Sequence, residues 1–254
     1  LPLKVNMKIA VCYSGFLRNI ITTLPGLRSK ILQDHDSDFF LHTWKHETQY
    51  KDELDYFLSE AKPKSWVVDT PRPFEEHPYY FGNVTSINWD QLNSERYNKE
   101  EKVHAGRFST FPHNVLSQFY SKNNVNQLRK SYSCMSGQEY DLVISVRSDI
   151  EFNETLNYDE VDPNKVNSSY MNRIGADDWH HPLMFSDMFA ISSEEVMNCY
   201  FDANLYFATN YFVHRVDFIP EILLGYHLQH NGIEVNKMNL SHTIYRVGRQ
   251  LFTE

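Results

Sequence analysis

Short apolar runs alternate with amphipathic stretches along the first part of the chain. The run at 8–13 stops at Ser14 and Gly15, after which apolar residues recur at helical spacing as far as Leu24. The same reasoning predicts strands at 38–43 and 66–69 and a helix at 48–61. Strands that alternate with helices predict an α/β fold, with a mostly parallel central sheet and helices on both of its faces.

The second half of the chain continues this alternation after a long polar stretch. Residues 79–108 show no sustained period and are predicted to form an excursion over the functional face. Helices are then expected at 114–129, 193–201 and 220–231, the last closed by Gly232, and strands at 140–146, 169–174, 188–191 and 233–235. No repeat or linker divides the pattern, so we expect one domain over 7–254. Residues 1–6 precede a plausible initiator, Met7, and are expected to be a short N-terminal extension or a cloning remnant.

Composition and charge restrict the classes of partner and the cellular location that can be expected for this chain. The net charge of -9 argues against a nucleic-acid partner. The aromatic content of 15% is typical of proteins that stack flat ligands or sugar rings, although a tyrosine-rich core explains it equally well. Three widely separated cysteines predict buried thiols in a reducing compartment, with the cytoplasm as the default. No apolar run approaches the roughly 20 residues of a membrane span, so no transmembrane segment is expected.

Two motifs at predicted strand ends carry candidate chemistry. After the first strand, Ser14 and Gly15 let a ligand approach the backbone, and Arg18 is one helical turn away, within reach of a phosphate. A plain turn with a surface arginine is the alternative. After the strand at 140–146, Asp149 requires a metal ion or a cationic partner, and Arg147 suits a diphosphate. The alternative is that Arg147 and Asp149 satisfy one another.

The order of these motifs resembles the GT-A glycosyltransferases, in particular small enzymes of large algal viruses and of bacterial surface-polysaccharide clusters. The segments that carry the resemblance are 14–18, 39–44, 140–149, 186–190 and 220–224. The resemblance implies a single GT-A-like, Rossmann-like domain that transfers a sugar from a nucleoside-diphosphate sugar, UDP first, to a hydroxyl of a glycan acceptor. Neither the dinucleotide glycine pattern nor the Walker phosphate loop is present, which disfavours dehydrogenases and P-loop enzymes.

The resemblance also assigns roles to residues. It implies donor binding by Ser14, Gly15, Arg18, His42, Arg147 and Asp149. In the family an Asp-x-Asp motif binds a divalent metal, Mn or Mg, and here Arg147 replaces the first aspartate while Asp149 matches the last. His242 matches the histidine that completes the metal shell.

Catalysis and acceptor binding are assigned in the same way. Glu221 has the spacing to Leu224, Leu228 and Gly232 that is typical of the general base in inverting enzymes, and Asp187 is the second candidate. The adjacent acids and histidines at 177–181 are less typical of a metal site than of an acceptor loop, in which Asp178 would bond sugar hydroxyls and Trp179 would stack on a ring. A carbohydrate- or nucleotide-binding module without turnover, or another nucleotide-dependent transferase, remains the alternative.

Overall fold

The structure is a computed structural model of the 254-residue chain. It describes residues 6–45, 51–71, 112–169, 183, 185–214, 216, 219–246 and 249–251.

A seven-stranded sheet forms the centre of the described structure. Its strands are β1 (Lys8–Ser14), β2 (Asp36–Trp44), β3 (Ser65–Asp69), β4 (Leu142–Val146), β6 (Val166–Ser169), β7 (Phe189–Ser192) and β8 (Val235–Met238). They lie in the order β3-β2-β1-β4-β7-β6-β8. The neighbours β1–β2, β2–β3, β1–β4 and β6–β8 are parallel, whereas β7 runs antiparallel to both β4 and β6. The carboxyl ends of β1 to β4 therefore meet at one edge of the sheet.

Helical segments cover both faces of this sheet. They are α1 (Ile20–Gly26), a π-helical turn (Leu27–Leu32), α2 (Lys51–Ala61), α3 (Pro112–Ser136), a 3-10 turn (Tyr158–Glu160), α4 (Glu194–Ala208), a second π-helical turn (Thr209–Val213) and α5 (Pro220–His230). Along β1, Ile9, Val11 and Tyr13 pack with α1 and α2, while Ala10 and Cys12 pack with α3, α4 and α5. Alternate side chains of one strand thus enter two separate hydrophobic cores.

A second, antiparallel sheet lies next to the carboxyl end of β4. It consists of β5 (Ile150–Phe152), β9 (His242–Arg246) and β10 (Arg249–Leu251), in the order β10-β9-β5. The amide of Tyr245 donates to the carbonyl of Asp149 at 2.7 Å. This pairing brings His242 close to the residues that follow β4, although nearly a hundred residues separate them along the chain.

The α/β fold with a mostly parallel central sheet is confirmed, but several details differ from the predictions. The strand predicted at 169–174 is Val166–Ser169, and α3 and α4 are longer than predicted. The additional turns of α4 bury Ala203 and Phe207 in the core, whereas the last turns of α3 are mostly exposed. The excursion at 79–108 lies outside the described residues. All three cysteines are free, but only Cys12 is buried as predicted, whereas Cys199 is half-buried and Cys134 is exposed. Within the described part of the chain, no helix is both long enough and apolar enough to cross a membrane.

Candidate functional site

The loop after β1 is fixed against the end of β4. Ser148 Oγ donates to the carbonyl of Phe16 at 2.7 Å and accepts from the amide of Arg18 at 2.8 Å. At the start of the loop, Gly15 has a φ of 96°, in the left-handed region that favours glycine. The predicted phosphate loop at 14–18 and the predicted anion site at 147–149 are therefore neighbours.

Arg18 keeps unused hydrogen-bonding capacity in this loop. Its Nε is buried and has no hydrogen-bond partner among the described residues. Its guanidinium carbon lies 5.3 Å from the centroid of the Phe16 ring. A buried guanidinium N–H without an acceptor is costly unless a ligand supplies one, so this geometry favours an anion near Arg18.

Arg147 and Asp149 form a two-pronged ion pair. Arg147 Nε donates to Asp149 Oδ1 at 2.9 Å, and Nη2 donates to Oδ2 at 2.5 Å. The Asp149 side chain is 3% exposed, whereas that of Arg147 is 27% exposed. Burial alone would lower the pKa of Arg147, but Asp149, followed by Asp187 and Glu221, raises it. The guanidinium is therefore permanently charged and fixed by Asp149, on a side chain that is still partly open to solvent.

Three further predicted residues converge on this ion pair. Asp187 lies just before β7 and Glu221 in the first turn of α5, and both are buried within the electrostatic neighbourhood of Arg147. His242, at the start of β9, is also buried and interacts with Arg147, Asp149 and Asp187. Burial, followed by the charge of Arg147, lowers the pKa of His242 to about 4. The imidazole is therefore neutral at pH 7.

The donors that could hold a metal are Asp149 and His242. Among the described residues, no group of three or more His, Cys, Asp or Glu side chains could hold a metal ion. His242 Nδ1 is buried and has no hydrogen-bond partner in the described part of the chain. Each oxygen of Asp149 keeps a lone pair beyond its bond to Arg147. Asp149 and His242 could supply two ligands to a divalent ion, and the remaining ligands would then come from water and a phosphate, as is usual for magnesium.

His42 is buried and does not reach the surface of the site. Its side chain is 1% exposed, and its ring nitrogens contact Ser121 Oγ at 2.8 Å and Asp69 Oδ2 at 3.1 Å. The Asp69 carboxylate, at the end of β3, also accepts from the hydroxyl of Tyr120 and is one-third exposed. This geometry favours an indirect role for His42, through Asp69, over direct contact with a ligand.

Helix α3 contributes residues that the sequence analysis missed. Ser121 Oγ accepts from the amide of Gly15 at 2.7 Å, so it supports the loop after β1. Gln118 Nε2 donates to Asp187 Oδ2, and Lys122 Nζ donates to the carbonyl of Asp187 at 2.8 Å. Positions 118, 121 and 122 are spaced so that they share one helix face. The sequence signal that could have identified these residues is their helical spacing next to the apolar inner positions of the same helix.

The predicted acceptor residues, Asp178 and Trp179, lie outside the described residues. Of the other predicted site residues, Arg147, Asp149, Asp187, Glu221 and His242 form one cluster, with the loop at 14–18 beside it.

No protein-family model matches this chain, and no curated protein matches it significantly. The inference of function therefore depends on the fold and on the chemistry of this cluster.

Proposed function

We propose that the chain is a glycosyltransferase of the GT-A type, which transfers a sugar from a nucleoside-diphosphate sugar to a hydroxyl of a glycan acceptor. The observation that carries the proposal is the anchored guanidinium of Arg147 beside the loop at 14–18. A partly exposed arginine side chain that is paired with a buried carboxylate, together with the unpartnered Nε of Arg18, favours a diphosphate. The carboxyl edge of a parallel sheet is also where α/β folds bind ligands.

Four residues of the cluster, together with Arg18, then have a role in a single displacement. Arg147 and Arg18 stabilise the negative charge that develops on the departing diphosphate. Asp149 and His242 would hold a Mn or Mg ion, which supplies further charge neutralisation at the leaving group. Glu221 accepts the proton of the acceptor hydroxyl while the oxygen bonds to the anomeric carbon and the bond from that carbon to the diphosphate oxygen breaks. The transfer inverts the configuration of that carbon.

UDP is the first nucleotide to test as part of the donor. We propose that the protein is located in the cytoplasm, because its three cysteines are free. The second candidate function is a nucleotide-binding module without turnover. It is favoured by the tight pairing of Arg147 with Asp149, because a satisfied ion pair can serve binding alone.

Calorimetry and a turnover assay together test the proposal. Titration with UDP, GDP and dTDP, with and without Mn, should show binding by wild-type protein and weakened binding by Arg147→Met. Arg28→Met is the matched control, because Arg28 is a partly exposed arginine whose guanidinium contacts Glu60. Binding of none of these nucleotides would refute the donor site. If nucleotides bind but no sugar donor releases its nucleotide, even when glycan acceptors are added, the nucleotide-binding module without turnover would be favoured.

A further inference from the structure

Lys122 carries a buried ammonium group next to the proposed catalytic cluster. The residue lies on α3, is 2% exposed, and donates from Nζ to the carbonyl of Asp187 at 2.8 Å and to the hydroxyl of Tyr200 at 3.0 Å. The same Nζ lies 3.6 Å from Asp187 Oδ2. A single ammonium thus contacts both the main chain and the carboxylate of one residue.

Asp187 interacts electrostatically with Arg147, and the residue after Asp187 is bonded to Arg147 through the main chain. The amide of Arg147 donates to the carbonyl of Met188 at 3.1 Å, where β7 starts alongside the end of β4. Gln118 also donates to Asp187 Oδ2. Two side chains of α3 therefore contact the carboxylate of Asp187. The hydroxyl of a third residue, Tyr200, donates to the main-chain carbonyl of Asp187 at 3.3 Å.

The charge of Lys122 is maintained by its partners. Burial alone would lower the pKa of Lys122, but Tyr200 and Asp187 outweigh that effect, and the net pKa is raised. The ammonium is therefore protonated at neutral pH. A buried ammonium needs a nearby anion, and Asp187 supplies it. Protonation of Asp187 would leave Lys122 buried without a counter-charge, which opposes the use of Asp187 as a proton acceptor.

We propose that Lys122 is a positioning residue that fixes Asp187 as a charged carboxylate beside Arg147, and that Glu221 is therefore the general base. The reaction itself rests on the proposed function. The pairing of Lys122 with Asp187 is a separate claim, and it can be tested without any turnover.

A double-mutant cycle tests the pairing. Lys122→Met leaves a buried carboxylate without its cation, and Asp187→Asn leaves a buried ammonium without its anion, so each single variant should melt well below wild type. Lys122→Met/Asp187→Asn removes both charges and should melt above Lys122→Met. The exposed pair Lys51–Asp55 on α2 is the matched control, and its cycle should show little effect at any step.

Several outcomes of the cycle would contradict the pairing of Lys122 with Asp187. If the double variant loses the sum of the two single losses, or melts no higher than Lys122→Met, the carboxylate is not the partner of Lys122. The same conclusion follows if Lys122→Met and the double variant both fail to fold, because the main-chain hydrogen bond would then dominate.

Kinetics test the positioning role. The folded double variant should show kcat lowered by at least about tenfold, because the lost charge of Asp187 changes the electrostatic environment of Arg147, which in the proposed function stabilises the charge that develops on the departing diphosphate. Lys122→Arg, which keeps the cation, should retain more of the wild-type kcat than Lys122→Met. An unchanged kcat in the double variant would overturn the positioning role. Absence of any transfer by wild-type protein would contradict the proposed function and leave the result of the stability cycle intact.

Discussion

Replacing Gly225 with alanine should destabilise the protein, because this glycine allows a close backbone approach next to the proposed site. Gly225 lies on α5, one turn after Glu221. A Cβ at this position would lie 2.0 Å from the carbonyl oxygen and 2.9 Å from the carbonyl carbon of Leu183. Real Cβ contacts are essentially never shorter than 3.0 Å, so the helix and the segment at Leu183 would have to separate by the difference between 3.0 and 2.0 Å, which is 1.0 Å.

Two opposing effects determine how much unfolding free energy the Gly225→Ala variant loses. Overpacking typically costs 1 to 3 kcal/mol, and we expect about 3 kcal/mol here because the neighbour is main chain, which cannot rotate away. Alanine gains back about 1 kcal/mol over glycine from helix propensity. The net loss of unfolding free energy should therefore be about 2 kcal/mol.

Gly26→Ala provides the matched control. Gly26 has a φ of -65° and a ψ of -43°, and an added Cβ would find only Glu151 Cγ, at an ordinary 3.8 Å. This substitution should stabilise the protein by about 0.5 to 1 kcal/mol, because it reduces the entropy of the unfolded chain without strain. Urea unfolding of both variants, monitored by circular dichroism, measures the two changes. A Gly225→Ala variant as stable as Gly26→Ala would refute the close approach of Leu183 to α5.

Three further predictions concern the site itself. Glu221→Gln should bind donor normally but lose about 10² to 10⁴ in kcat, as expected for a missing general base; a smaller loss would remove that role. Asp149→Ala should abolish transfer and weaken calorimetric binding of UDP, because Arg147 loses its anchor, whereas Asp36→Ala, at an exposed position, should change neither. His242→Gln should change the acid dependence of stability. Because the folded pKa of His242 is about 4 against 6.5, the unfolded state binds more protons between these values, so wild-type stability is lost as pH falls from 6.5 to 4. The variant should lack this part of the loss, and parallel curves in urea unfolding at each pH would contradict the burial of a neutral His242.

The elements that were predicted from sequence are those with strong local patterns. The buried strand β4 and the glycine turn after β1 follow from a short apolar run and from the residues that end it. The direction of β7 could not be predicted, because an antiparallel strand and a parallel one can have the same apolar pattern. The site was partly predictable, since Arg147 and Asp149 follow β4 directly. The support by Lys122 was not, because a lysine within a long helix is usually solvated and only tertiary contacts reveal its burial.

Buried charge alone does not identify a ligand site in this protein, and a second ion pair shows the difference. Arg129 on α3 is fully buried, and its Nε, Nη1 and Nη2 donate to Asn126, Glu194 and Asn198, at 3.0, 2.5 and 2.6 Å respectively. All three guanidinium nitrogens have protein partners, so this pair is explained as a tie between α3 and α4. The polar groups of the Arg147 cluster are not all paired in this way: the Arg147 side chain is partly exposed, and His242 Nδ1 has no partner within the described ranges. Burying charges rarely adds stability over an apolar core, and leaving a polar atom unsatisfied costs more. The unused hydrogen-bonding capacity at Arg18 and His242, rather than the number of buried charges, therefore favours a ligand at this edge of the sheet.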